Sequence, residues 1–153
     1  MDLKLISVDP ETEFELIEHY IGLLFKELFG EAAVPTKEQF ASIQTQLADA
    51  SAFHWAYKVV DGEKVVAFFT LGQSCSVFAK GRYGIINELW VSPESRGRGV
   101  GKQLLDAIKQ LAGKKGWLRL DVSAPPTEQW QSTFEFYRKN GFELTGKKLK
   151  YLL

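Results

Sequence analysis

Between residues 96 and 102 the chain reads Arg-Gly-Arg-Gly-Val-Gly-Lys, three glycines alternating with Arg98 and Val100. A strand-like run precedes this segment and a helix-like run follows it. Consecutive amides at a helix N-terminus converge on an anion, and the helix dipole favours negative charge there. Glycines remove the side chains that would hold a diphosphate away. The neighbouring charges agree in sign: Arg96, Arg98, Lys102, Lys109, Lys114, Lys115 and Arg119 stand against Glu94 and Asp106. The plainer alternative is a glycine-rich connection beside a solvated basic helix face.

Two familiar phosphate loops are excluded by counting. The P-loop needs a glycine five positions before its Gly-Lys pair and Ser or Thr after it. Gly101-Lys102 has Arg96 and Gln103 at those places. The dinucleotide fingerprint needs a third glycine where Lys102 or Leu104 stands. Two other residues could do chemistry. Glu88 lies in the apolar run "GIINELWV", where a carboxylate is costly unless paired or functional. Strand alternation would send Asn87 and Glu88 to opposite faces. Tyr137 follows Phe134 by three residues, which is also an ordinary core stripe. His19 and His54 are far apart and read as surface or core residues rather than metal ligands. Cys75 is alone, with no neighbour to activate it.

The elements that must position these residues alternate along the chain. Residues 3–8 read as a strand, with Asp9 as the cap and Pro10 in the first turn of a helix striped by Phe14, Ile17, Ile21, Leu24, Phe25 and Leu28. Gly30 closes it. Thr36 with Gln39 reads as a capping box before a second helix carrying Phe40, Ile43 and Leu47. Asp61-Gly62 joins "HWAYKVV" to "KVVAFFTL" as a hairpin. The strand before the glycines, a helix buried through Val100, Leu104, Leu105, Ile108, Leu111 and Ala112, and the strand "WLRLDVSA" follow. Gly113 or Gly116 ends that helix, and Gly141 ends a last one over 132–140. Two short strands are expected near 142–145 and 148–153. The pattern is a single mixed α/β (α+β) domain over residues 1–153, without repeats or an interdomain linker.

The segment "VSPESRGRGVGKQLL" resembles the Arg/Gln-x-x-Gly-x-Gly/Ala motif of the GCN5-related N-acetyltransferase (GNAT) superfamily, matched by Arg96, Gly99 and Gly101. Downstream, "FEFYRKNGFELTG" is similar to the family's C-terminal helix-tyrosine-glycine-phenylalanine segment. Together the motifs cover residues from about 85 to the end, while the N-terminal half matches in element order. The resemblance implies a twisted, mostly antiparallel sheet of six to seven strands, one pair splayed, flanked by about four helices. It implies transfer of an acetyl group from acetyl-coenzyme A, as cosubstrate and without a metal, to a primary amine of a small molecule or peptide in a ternary complex. Leu89, Trp90 and Val91 would line the pantetheine arm. Arg96, Gly97, Arg98, Gly99, Val100, Gly101 and Lys102 would hold the pyrophosphate. Tyr137 would serve the leaving sulfur, and Glu88 would be the base or else bind the acceptor. Trp130 replaces the asparagine that many relatives carry seven residues before the tyrosine, and "APPTEQWQS" departs from the usual connection.

Lysine plus arginine, 19, balances aspartate plus glutamate, 19, which gives no reason to expect a nucleic-acid partner. The N-terminus lacks a signal-peptide pattern and no apolar run approaches the ~20 residues of a membrane helix, so a cytoplasmic, membrane-independent enzyme is expected. The acidic first helix (Asp9, Glu11, Glu13, Glu15, Glu18 and Glu27, against Lys26) suits a cationic acceptor such as a polyamine, an aminoglycoside or a lysine side chain, or is simply solvated. Family members commonly dimerise through varied surfaces, and the resemblance leaves a homodimer open. The rival from another class is a non-catalytic acyl-coenzyme A-binding or sensor module.

Overall fold

Alternation and capping set most element ends. In the computed structural model, which describes residues 1–125 and 130–153, Leu3–Val8 forms strand β1 and Phe14–Phe29 forms helix α1. Asp9 does not cap α1. Its Oδ1 accepts from the Glu11 amide and its carbonyl from the Glu13 amide, both at 2.8 Å, so its side chain is spent on a local turn and Glu13 takes the N-cap place. Gly30 ends the helix at φ 89°. Helix α2, Lys37–Asp49, starts with the expected capping box: Thr36 Oγ1 accepts from the Gln39 amide at 3.2 Å and Gln39 Oε1 from the Thr36 amide at 2.8 Å.

Strands β2 (His54–Asp61), β3 (Lys64–Ser76) and β4 (Gly81–Val91) follow as an antiparallel meander. β1 adds antiparallel to the outer side of β2. Helix α3 spans Val100–Lys114, and strand β5, Leu120–Val122, lies beside β4. The Leu118 amide donates to the Arg82 carbonyl and the Gly84 amide to the Arg119 carbonyl. Both segments therefore ascend together, and the sheet is mixed. Gly116, at φ 76°, rather than Gly113, turns the chain out of α3. Helix α4 is Gln131–Lys139, with Gly141 at φ 91° after it.

Among the described residues the sheet has five strands, in the order β1-β2-β3-β4-β5, rather than six to seven. Residues 142–153 form none. Gly146 and the lysines at 147, 148 and 150 interrupt any apolar face, and Leu149, Tyr151 and Leu152 stand exposed. The chain forms two compact units, Met1–Asp121 and Val122–Leu153, the second holding α4.

In the first unit α1 and α2 cover one face of the sheet. Ile17, Ile21 and Leu24 of α1 and Phe40 of α2 cluster with Val8, Ala56, Phe68 and Trp90 of the strands. Tyr20 stacks on Phe68 at 5.2 Å and leans on Trp90 at 5.0 Å. Phe68, Phe69, Leu71, Leu104, Leu105 and Ile108 are fully buried, and each such side chain stabilises by about 1.5–3 kcal/mol over exposure. The aromatic pair of β3, Phe68 and Phe69, is core.

Candidate functional site

The register of β4 decides where Glu88 points. Phe68 pairs with Trp90, Phe69 with Leu89 and Thr70 with Glu88, but Leu71 pairs with Ile86. Asn87 is the extra residue of a β-bulge. Phe68 faces α1, so alternation along β3 turns Thr70 and Gly72 to that face and Leu71 to the other. Glu88, opposite Thr70, shares the α1 face, and Ile86, opposite Leu71, lies on the other. Without the bulge Glu88 would follow Ile86. The Asn87 amide nitrogen lies only 3.0 Å from where a Cβ on Gly72 would stand. Asn87 and Glu88 are therefore on the same face, not opposite ones, because one inserted residue resets the alternation.

Thr70, 1% exposed, donates its hydroxyl to Glu88 Oε1 at 2.6 Å. Burial raises the Glu88 carboxyl above its ordinary value, and the Thr70 hydrogen bond pulls the other way. Oε2 has no protein partner among the described residues. No buried side-chain polar atom there goes unpaired, so Oε2 reaches solvent. Beyond Glu88, Leu89 and Val91 are half-buried, while Trp90 is packed in the core against Tyr20 and Phe68. β4 is 11 residues long and β5 is 3.

From Val91 the chain passes through a short 3-10 turn, Pro93–Ser95, into the glycine segment. Ser92 Oγ donates to Ser95 Oγ at 2.7 Å inside this turn. Arg96 does not point into the glycine cradle with its whole side chain: its guanidinium is paired with Glu27 of α1 and its Nε donates to the Val91 carbonyl at 3.0 Å. Gly97 (φ 72°) and Gly99 (φ 81°) take the left-handed conformation that glycine alone adopts cheaply. A Cβ at either would meet no atom within 4 Å among the described residues, its own chain neighbours aside. Gly99 is the N-cap of α3 and supplies no side-chain bond. The amides of residues 97–102 find no protein acceptor among the described residues. An open, glycine-walled set of donors at the start of a long helix is what a diphosphate requires, so the residues present fit coenzyme A.

The basic charges are less concentrated on this turn than their number suggests. Lys102 pairs with Asp106 at 3.0 Å, Arg119 with Asp121 at 2.6 Å, and the Lys115 ammonium sits 3.7 Å over the Trp55 ring. Desolvation lowers Lys115 from its ordinary value. Trp117 donates to Gln73 at 2.7 Å and packs on Gly84.

In the second unit Tyr137 is on α4, edge-to-face with Phe136 and with Phe142, each at 5.4 Å. Burial pushes its phenol up to about 12. Trp130 is the N-cap of α4 and makes no side-chain cap bond. Residues 126–129 of the unusual connection lie outside the described residues. Burial lowers the His54 imidazole, His19 packs edge-on to Tyr20, and Cys75 is exposed. Among the described residues no cluster of ligating side chains could hold a metal, and no helix is long and apolar enough to cross a membrane.

Sequence reading missed Thr70 and Glu27. The signal for Thr70 was a single hydroxyl inside the apolar run "VVAFFTLG", but its pairing with a carboxylate needs the register. Nothing in the sequence ties Glu27 to Arg96.

A family model described as an acetyltransferase (GNAT) domain matches residues 50–144, more than half of the chain. No curated protein sequence matches it. Solved structures do. An integron cassette protein from the mobile metagenome of V. cholerae is 23% identical with a TM-score of 0.75, covering 100% of this chain and 93% of that one. An aminoglycoside acetyltransferase, meta-AAC0020, from an uncultured soil metagenomic sample is 21% identical with a TM-score of 0.73, covering 99% and 96%. A second aminoglycoside acetyltransferase, HMB0005, from such a sample is 19% identical with a TM-score of 0.77, covering 100% and 99%. At these identities the likeness is one of fold.

Proposed function

The chain belongs to the acetyltransferase (GNAT) domain family, and on that premise we propose an N-acetyltransferase acting on a cationic primary amine of a small molecule or peptide, with acetyl-coenzyme A as cosubstrate. The observation that carries the reading is the open amide cradle of residues 97–102, at the end of the loop leaving the strand that bears Glu88. Acetyl-coenzyme A supplies the acyl thioester. The amides of Gly97 through Lys102 hold its diphosphate, and the backbone of Leu89 to Val91 aligns the pantetheine arm as an added strand.

An amine attacks only when neutral. Glu88 Oε2 takes its proton, directly or through one water, as the nitrogen–carbon bond forms and the carbon–sulfur bond breaks. Because burial raises Glu88, the base works above that raised value and is lost as pH falls through it. On the family resemblance, the Tyr137 phenol, which burial keeps protonated at ordinary pH, offers its O–H as a hydrogen bond to the departing sulfur. Glu11, Glu13, Glu15 and Glu18 at the entry to α1 favour a polycation, and the aminoglycoside acetyltransferases among the structural neighbours support that class.

The test is thiol release from acetyl-coenzyme A with kanamycin, spermidine, amino acids and lysine peptides, alongside the thermal shift given by coenzyme A alone. Release with a polycationic amine, lost in Glu88→Gln, is the expected result. A cofactor-induced shift with no release from any amine would replace the enzyme by an acyl-coenzyme A-binding module. Absence of both would overturn the assignment of the glycine turn.

A further inference from the structure

The geometry points to Thr70 as the positioning residue of the Glu88 carboxylate, an inference that rests on the reading of Glu88 as the base. Thr70 sits on the neighbouring strand, directly opposite Glu88, at a site with no solvent of its own. Its hydroxyl donates to Oε1 and to no other acceptor among the described residues. That bond fixes which oxygen is spent and which is free: Oε1 is turned toward Thr70 on β3, and Oε2, with no partner among the described residues, is left for the proton.

The bulge makes this arrangement necessary. It puts Glu88 on the face that carries the α1 and α2 core, where Phe68 and Trp90 are its diagonal and same-strand neighbours. A carboxylate among such groups is costly unless hydrogen-bonded. Few other groups on that side could meet the need. The ionisable residue that α1 turns to the cluster is Tyr20, with His19 edge-on to it, and both are engaged with rings. α2 contributes Phe40, Ile43 and Leu47, none ionisable. By alternation from Ala56 and Val8, β2 contributes His54 and Lys58 and β1 contributes Lys4. None of these bonds to Glu88 among the described residues, and Thr70 is its one polar partner there.

Strand formation alone would also explain a threonine at this place, since β-branched residues suit strands. The two readings differ in what an isosteric change does. Thr70→Val keeps the shape and removes the donor, whereas Thr70→Ser keeps the donor. The experiment is carbon-13 NMR titration of the Glu88 carboxyl in the full chain, assigned with Glu88→Gln, for wild type, Thr70→Val and Thr70→Ser. It is paired with the pH profile of kcat/KM for the panel amine turned over fastest.

Thr70→Val is expected to move the Glu88 titration to higher pH and the acid limb of the profile with it. Turnover on that limb should fall on the order of tenfold, as loss of a hydrogen bond to a charged group implies, while the KM for acetyl-coenzyme A holds. Thr70→Ser should restore both. A Glu88 titration that does not move in Thr70→Val overturns the inference. So does an acid limb that Glu88→Gln abolishes and Thr70→Val leaves in place. An acid limb that survives Glu88→Gln overturns instead the assignment of Glu88 as base.

Discussion

Arg96 and Glu27 meet edge-on, with Nη1 2.6 Å from Oε1 and Nη2 2.7 Å from Oε2. With the Arg96 Nε bond to Val91, one guanidinium joins the last turns of α1, the end of β4 and the start of the glycine turn. The motif arginine is thus a brace for the loop's backbone, whatever it contributes to the cofactor. The pair is 43% and 31% exposed, so screening limits its worth to about 1 kcal/mol or less. Arg96→Lys gives up the two-pronged contact. It is expected to weaken coenzyme A binding several-fold in calorimetry while Tm falls by only a few degrees. Unchanged affinity would mean that the turn keeps its shape without the brace.

Gly99 separates conformational need from space. At φ 81°, with nothing within 4 Å of an added Cβ, Gly99→Ala costs roughly 1–2 kcal/mol of strain and should still fold. Gly99→Trp places an indole in the open cradle. It is expected to keep a native circular dichroism spectrum and to lose the thermal shift given by coenzyme A. Normal binding by the tryptophan variant would remove the diphosphate from this turn.

Tyr137 makes two linked predictions possible. With its phenol raised from 10.0 to about 12 by burial, it is an O–H donor at any ordinary assay pH. Tyr137→Phe is expected to lower kcat about a hundredfold, as loss of one positioned donor to developing charge does, with little change in the KM for acetyl-coenzyme A. The native state also holds this proton more tightly than the unfolded chain. The stability from this group is therefore complete below pH 10 and is lost as pH rises toward 12. Urea midpoints of wild type should fall relative to those of Tyr137→Phe over that window. Parallel midpoints would show that the phenol is not buried as the structure has it.

Residues that punctuate the chain were legible in its sequence. Gly30, the Thr36–Gln39 box, Gly62, Gly116 and Gly141 all stand at ends of elements, because each uses a local backbone preference that needs no distant partner. The glycine turn was legible for the same reason. What the sequence hid depends on pairing. Asn87 carries no mark of a bulge, since its being extra is a fact about β3 as much as about β4. Hence the faces of Asn87 and Glu88 were misread, and Thr70 was one more strand residue. Arg96 and Glu27 are distant in sequence, so counting charges around the loop overstated the free positive field. The strands expected after Gly141 followed from alternating residues alone, which cannot say whether a neighbouring strand exists to pair with.

Trp117 packs against Gly84, three of its ring atoms 2.2–2.9 Å from where a Cβ would be. The indole and the missing methyl group are two halves of one choice. A lineage descending from this protein cannot gain a side chain at position 84 while it keeps the tryptophan in this pose. Nor does it gain much by trimming the tryptophan first, because Gln73 would lose the indole N–H donor that it accepts from. The two sites are expected to drift together or not at all. In sequences related by descent, a residue larger than glycine at 84 should be found with a smaller or displaced ring at 117.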